Sequence, residues 1–312
     1  MASKESQEIG NLWRSISARM AANPGIDILT RRAMLDVMHE LATEPADVTY
    51  QEIVAAGQQA LWVNPRGAAA DRVILFLHGG GFIAGSINCH RKLAAHLAKA
   101  TGCRALIPAY RLAPENPFPA QLDDAFGIYQ WLLREGFDPS HIATAGDSAG
   151  GNLAISICLR AQAQSLPFPA AIIGISPWLD MEVDGWTLDT NKERSAIGSR
   201  ESYRKIAGML LKGHDPTDPF ANPLYADLTG FPPIYLSAGS EEALLDNPQR
   251  LAEAAKKAHV DVTLKIAEGM QHVYEFMAGR APEADKGIAD MAIWLRPKIG
   301  LVLEVPIFVS RS

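Results

Sequence analysis

The stretch His141-Ile142-Ala143-Thr144-Ala145-Gly146-Asp147-Ser148-Ala149-Gly150-Gly151 decides the fold. It opens as a short apolar run with strand character, passes through G-x-S-x-G, and enters a helix expected over Gly150 to Gln164. A serine between a strand and a helix in this way sits on a sharp turn with a strained backbone. Small residues two before and two after it keep the turn clear of the neighbouring strand and helix. The turn also sets the hydroxyl at a helix N-terminus, where free N–H groups and the helix dipole favour developing negative charge. Ser148 is therefore a candidate nucleophile. The competing reading is a glycine-rich turn whose serine only caps the helix.

Working outward, Arg72 to Leu77 is a continuous apolar run that ends in His78-Gly79-Gly80-Gly81-Phe82. Such a run fits a strand buried on both faces. Acyl transfer places charge on a carbonyl oxygen, which needs N–H donors already in position, and glycines let the main chain approach without a Cβ in the way. Gly80, Gly81 and Ala149 are assigned as those donors. A phosphate-binding loop is the alternative, but no G-x-G-x-x-G or P-loop lysine pattern accompanies these glycines.

Further strands are expected at Val48 to Val54, Gln58 to Asn64, Arg104 to Tyr110, Ala170 to Ser176, Pro233 to Ala238 and Asp261 to Ile266. Helices are expected at Arg91 to Thr101, Gln121 to Glu135, Pro248 to Ala258 and Val273 to Gly279. This alternation gives an α/β fold with a mostly parallel sheet covered on both faces, and ligands on such sheets sit beyond the carboxyl ends of the strands. Two helical stretches, Glu5 to Met20 and Asp27 to Leu41, precede every strand, and a helical insertion runs around Thr187 to Lys212. The expected division is an N-terminal cap part over residues 1–45 and a catalytic domain over residues 46–312, with a cap insertion at about 182–213.

The 312 residues are 48% apolar, enough for a sizeable core, and carry a net charge of −6 with no basic run. That argues against nucleic acid or an anionic membrane surface as partner. Cys89, Cys103 and Cys158 have no framework spacing and read as small buried hydrophobes. Met1 to Gly10 has no apolar signal core, and no stretch approaches the ~20 apolar residues of a membrane span, so a cytoplasmic location without membrane insertion is expected. No His or Cys pair has metal-ligand spacing on a shared element, and no cofactor is expected.

These motifs resemble the hormone-sensitive-lipase-like branch of the α/β-hydrolases, which includes many bacterial carboxylesterases. The matching pieces are His78-Gly79-Gly80-Gly81-Phe82, Tyr110-Arg111-Leu112-Ala113-Pro114-Glu115, Phe118-Pro119-Ala120 with Asp123-Asp124, Gly146 to Gly151, and Gly269-Met270-Gln271-His272-Val273. The resemblance spans roughly residues 48–295. It implies the α/β-hydrolase fold with an eight-stranded sheet, a helical cap, and nucleophile, acid and histidine in that chain order.

His272, late in the chain after a strand and a glycine-containing loop, is then the candidate base. For the acid, the usual Asp-Pro-Leu of the family is replaced by Ser240-Glu241-Glu242-Ala243-Leu244-Leu245-Asp246. Asp246 precedes Asn247-Pro248 and has a competing role at a helix start. Glu242 lies nearer the strand end, at the family's usual separation from the histidine. Glu242 is preferred, Asp246 is the second choice, and Glu241 comes third.

The expected activity is hydrolysis of short- to medium-chain carboxylic esters through an acyl-enzyme on Ser148. A lactone or amide hydrolase would use the same residues, and a non-catalytic receptor of this fold is the alternative from another class. Phe82, Trp178 and Met209 are candidate substrate contacts, and Trp13, Met20, Met34, Met38 and Trp186 are further candidates for an apolar pocket. Ser202-Tyr203-Arg204-Lys205 fits S-x-x-K but has no supporting motif and reads as a solvated helix face. The tail from Leu301 to Val309 could pair an edge strand or support a homodimer.

Overall fold

Ala56 and Gly57 both take positive φ (50° and 79°), the conformation a tight two-residue hairpin requires. They join β1 (Val48–Ala55) to β2 (Gln58–Pro65), the antiparallel edge of the sheet in this computed structural model, which describes residues 2–23 and 25–301. The remaining strands are β3 (Ala69–Leu77), β4 (Cys103–Pro108), β5 (Ile142–Asp147), β6 (Ala171–Ile175), β7 (Ile234–Gly239) and β8 (Val262–Ala267). They form one eight-stranded sheet in the order β1-β2-β4-β3-β5-β6-β7-β8. From β4 through β8 every pairing is parallel. The chain steps from β3 outward to β4 and then back across to β5, so the strand order reverses beside β3. A crevice opens beyond the strand ends at such a point.

Helices cover both faces: α1 (Lys4–Ala22), α2 (Ile28–Asp36), α3 (Ile87–Thr101), α4 (Ala120–Arg134), α5 (Ala149–Ala163), α6 (Thr187–Thr190), α7 (Arg200–Leu211), α8 (Asp246–Lys257) and α9 (Pro282–Leu295). The alternation of β3 sorts its side chains between two cores. Val73, Leu75 and Leu77 enter one with residues of α4, α5 and α8, and Ile74 and Phe76 enter the other with residues of α1, α3 and α9. All five are fully buried, each contributing about 1.5–3 kcal/mol for a large side chain.

Three helical expectations are corrected. The segment Val273 to Gly279 is only a short 3₁₀ turn at Tyr274–Met277, and the closing helix is α9, opened by Pro282 at its first turn. Asp27 to Leu41 is α2 followed by a 3₁₀ turn at Val37–Glu40. The insertion is not continuous either. Gly198 takes φ 76°, and Ser199 then starts α7 as the first half of a capping box with Ser202. The serine of S-x-x-K is thus occupied as a cap residue. Residues 302–309 of the apolar tail lie outside the described residues.

The N-terminal helix is tied to the last one. The Glu283 carboxylate accepts from the Ser3 N–H and hydroxyl, both at 2.7 Å, and from the Ser6 hydroxyl at 2.8 Å. Burial pushes this carboxyl up, but the Ser3 and Ser6 hydrogen bonds outweigh it and hold it at about 2. Because the folded-state value is depressed from 4.5, the anchor contributes fully above that pH and is lost as pH falls toward 2. Amide exchange over residues 4–22, corrected for its intrinsic pH dependence, is expected to accelerate across that window. In Glu283→Gln it should already be faster at neutral pH and flat across the window, and identical behaviour of the two proteins would remove the anchor.

Candidate active site

Ser148 sits between β5 and α5 at φ 51° and ψ −116°, a strained conformation for a residue with a side chain. Its N–H donates to the Ile175 carbonyl at 2.8 Å, and its own carbonyl accepts from the Trp178 N–H at 2.9 Å. The flanking glycines are compelled by contact. A Cβ on Gly146 would lie 2.4 Å from the Gly150 carbonyl, and one on Gly150 would lie 1.9 Å from the Leu77 oxygen. The turn can therefore form only with bare backbone at both positions.

After β3, Gly80 and Gly81 take φ 114° and 63°, and a Cβ on Gly80 would meet the Ala84 carbonyl at 2.3 Å. Among the described residues, the N–H groups of Gly80, Gly81 and Ala149 have no protein acceptor. Gly80, Gly81, Ser148 and His272 belong to or border one cavity. The loop is held from beneath by a buried pair that the sequence reading passed over. Asp147 Oδ1 accepts from the Gly79 N–H at 3.0 Å, and Oδ2 lies 3.3 Å from His90 Nε2. Burial alone would lower the His90 pKa, but the Asp147 carboxylate outweighs it and holds His90 well above the ordinary imidazole range. His90 Nε2 also lies 3.1 Å from the Gly79 N–H, and Nδ1 lies 3.2 Å from the Ser86 carbonyl. Burial, and then the His90 charge, pushes neighbouring His78 down to about 3. Neutral His78 stacks on Tyr110 at 4.1 Å, and the Tyr110 hydroxyl donates to the His78 carbonyl at 2.6 Å. His90 stands on α3 with no motif of its own, so only its distance from His78 could have signalled it.

The loop after β8 brings His272 to Glu242, whose Oε2 lies 2.5 Å from Nδ1. Glu242 is 1% exposed, and its Oε1 accepts from the Gly239 N–H at 2.6 Å and the Ser176 hydroxyl at 3.0 Å. With Nδ1–H donating to Glu242, Nε2 is left free to accept a proton. Asp246 is drawn elsewhere. It opens α8, accepts from the Thr187 hydroxyl at 2.6 Å, and pairs with Arg250 at 3.5 Å. Glu241 faces Arg194 at 3.5 Å.

The cavity measures about 600 Å³ and is walled largely by Trp13, Ile16 and Met20 of α1, Leu35 and Met38 of the α2 region, and Ile206 of α7. Trp178 also lines it. Two expected contacts do not. Phe82, whose backbone takes φ 63°, packs its ring in the core against Trp178, 5.9 Å between centroids. Met209 packs on the core, almost a full turn past Ile206. Met34 packs on the opposite core, and Trp186 is half exposed beside a separate shallow groove. Among the described residues, no group of three or more His, Cys, Asp or Glu side chains is placed to hold a metal ion, and no helix is long and apolar enough to cross a membrane. All three cysteines are buried and unpaired with one another.

A family model for the alpha/beta hydrolase fold matches residues 74–276. The crystal structure of an esterase from the bacterial hormone-sensitive lipase family superposes with a TM-score of 0.91 at 38% identity, covering 96% of this chain and 100% of that one. This chain belongs to the hormone-sensitive-lipase branch of the α/β-hydrolases. An acetyl-hydrolase of Streptomyces hygroscopicus is 38% identical to this hydrolase over 251 residues, 80% of this chain and 83% of that protein. An esterase of Acinetobacter venetianus is 36% identical over 262 residues, 84% and 86% of the two chains. The esterase EstE5, soaked with p-nitrophenyl butyrate, has a TM-score of 0.87 at 36% identity, with 96% and 99% covered.

One further carboxyl lies near the His272 loop of the hydrolase. Glu275 is fully buried, accepts from the Ser237 hydroxyl on Oε1, and has no hydrogen bond on Oε2. Burial pushes it up to about 7. Between 4.5 and that value the folded state holds a proton that the unfolded state has lost, so stability falls as pH rises through the window. Glu275→Gln is expected to remove that penalty. In urea unfolding its stability relative to the unsubstituted protein should rise between pH 5 and pH 8, by on the order of 3 kcal/mol. A difference independent of pH would show that Glu275 does not titrate there.

Proposed function

We propose that this hydrolase is a serine carboxylesterase that cleaves short- to medium-chain carboxylic esters through an acyl-enzyme on Ser148. The observation that carries the reading is the Glu242–His272 hydrogen bond, 2.5 Å, in a site that shares one cavity with a strained serine. In the mechanism, His272 Nε2 takes the Ser148 proton as the hydroxyl attacks the ester carbonyl. The oxyanion is received by the N–H groups of Gly80, Gly81 and Ala149, whose hydrogen-bonding capacity is unspent among the described residues. His272 then protonates the departing alkoxide, and water repeats the sequence on the acyl-enzyme. Glu242 fixes the imidazole tautomer and stabilises the imidazolium. Asp147 and protonated His90 hold the glycine loop in register.

We take α1, α2 and the insertion around residues 182–213 to act as a cap, since their side chains supply most of the apolar wall. A cavity of about 600 Å³ is large enough for an acyl chain of several carbons. The relatives named acetyl-hydrolase and esterase support the substrate class. Three buried free thiols accord with a reducing cytoplasm.

Kinetics on a p-nitrophenyl ester series test the reading. Ser148→Ala and His272→Ala should abolish turnover, and a phosphonate should label Ser148 alone. Glu242→Gln is expected to lower kcat by at least about 100-fold. Asp246→Asn should leave kcat within about threefold while lowering stability, because it weakens a buried, paired carboxylate. Full activity in Glu242→Gln would sink the acid assignment. Faster opening of lactones than of linear esters would transfer the substrate to the cyclic class, and a protein that binds esters without turnover would be a receptor.

A further inference from the structure

The peptide unit that follows His272 is held at both ends. Its carbonyl, that of His272, accepts from Trp13 Nε1 at 3.3 Å, a bond reaching in from α1. Its N–H, that of Val273, donates to the Ser176 hydroxyl at 3.1 Å, and the same hydroxyl donates to Glu242 Oε1 at 3.0 Å. Val273 sits at φ 52° and ψ 49°, the left-handed region, which a β-branched side chain strongly disfavours. Rotating the His272–Val273 peptide by half a turn would carry Val273 to negative φ and relieve it. A peptide released to turn in this way no longer pins the His272 main chain, and the imidazole shifts with the backbone that carries it. Two hydrogen bonds, one at each end of the peptide, oppose the rotation.

The bond from Trp13 is well supported. Its indole is 6% exposed, its helix is clamped by Glu283, and Gln271, the residue before His272, is bonded to the Arg194 carbonyl at 3.0 Å and the Ala196 N–H at 2.8 Å. Both chain segments that wall the cavity therefore meet at the loop bearing His272.

We propose that Trp13 is a positioning residue, which holds the strained His272–Val273 peptide in the one orientation that aims the imidazole at Ser148. This rests on His272 being the base, as proposed above. The N-terminal helix then contributes to the rate as well as to the enclosure of substrate.

The test separates the N–H from the ring. Trp13→Phe keeps an aromatic ring without the donor, and Trp13→3-benzothienylalanine keeps the bicyclic shape with sulfur in place of the N–H. Both are expected to lower kcat on p-nitrophenyl butyrate, and the rate of phosphonylation at Ser148, by about tenfold, with KM within about threefold. Ile16→Ala, on the same helix and cavity wall but without a bond to the loop, should change KM more than kcat. The proposal is overturned if the benzothienylalanine variant keeps kcat and phosphonylation within twofold of the unsubstituted protein, or if Ile16→Ala lowers kcat as much. If the unsubstituted protein is not phosphonylated at Ser148, or if His272→Ala retains full activity, the reading of the base fails and the proposal falls with it.

Discussion

The carbonyl oxygen of Leu77 lies where any side chain on Gly150 would have to begin. This contact brings the first turn of α5 against the end of β3 at backbone distance, and much of the site follows from it. Leu77 is paired with Gly146 in the parallel register of β3 and β5, so the turn bearing Ser148 and the loop bearing Gly80 and Gly81 leave the sheet side by side. A one-residue slip would exchange Val73, Leu75 and Leu77 with Ile74 and Phe76 between the two cores, so the close packing of differently shaped side chains defends the register. The position of Ser148 relative to the N–H groups of Gly80 and Gly81 is thus a property of strand pairing, fixed before any side chain acts.

A second layer of constraint is electrostatic. Two buried acid–histidine pairs stand on opposite sides of Ser148: Asp147 with His90 beneath the glycine loop, and Glu242 with His272 across the cavity. They are chemically alike and differently placed. His90 has both ring nitrogens engaged, so it is a fixed charge within the scaffold. His272 has Nδ1 engaged by Glu242, and the residue lines the cavity. The second nitrogen is what distinguishes the two pairs: bonded within the scaffold in His90, and without a side-chain or backbone partner in His272 among the described residues.

Much of this was legible in the sequence because it depends on local pattern. Apolar runs ending in glycines gave the strand ends, and the two glycine motifs pointed to the same crevice. Spacing to the histidine pointed to Glu242 over Asp246, and Glu242 is the carboxylate in contact with His272 Nδ1. Asp246 is explained by Thr187 and Arg250, partners remote in sequence or hidden within α8. What stayed hidden is what long-range packing decides. Phe82 reads as a pocket residue, but its ring is buried in the core against Trp178. His90 and Ser176 have no motif, and they matter because of what the fold brings to them. The missed helix α9 was a different failure: Pro282 and the apolar series Ala284, Ile288, Met291 and Leu295 were visible, but the apolar residues just after His272 drew the helix forward.

The clasp between the chain's two ends also bears on how the protein is made. Ser3 finds Glu283 280 residues away, and Trp13 reaches the His272 carbonyl across 259. Helix α1 is therefore made long before the segments that seat it. Until the final helix emerges, the apolar face of Ile9, Trp13 and Ile16 has no native partner from that end of the chain. At elongation rates of roughly 5–20 residues per second, that face stays without its partner for tens of seconds. An apolar face left open in this way is exposed to association with other chains.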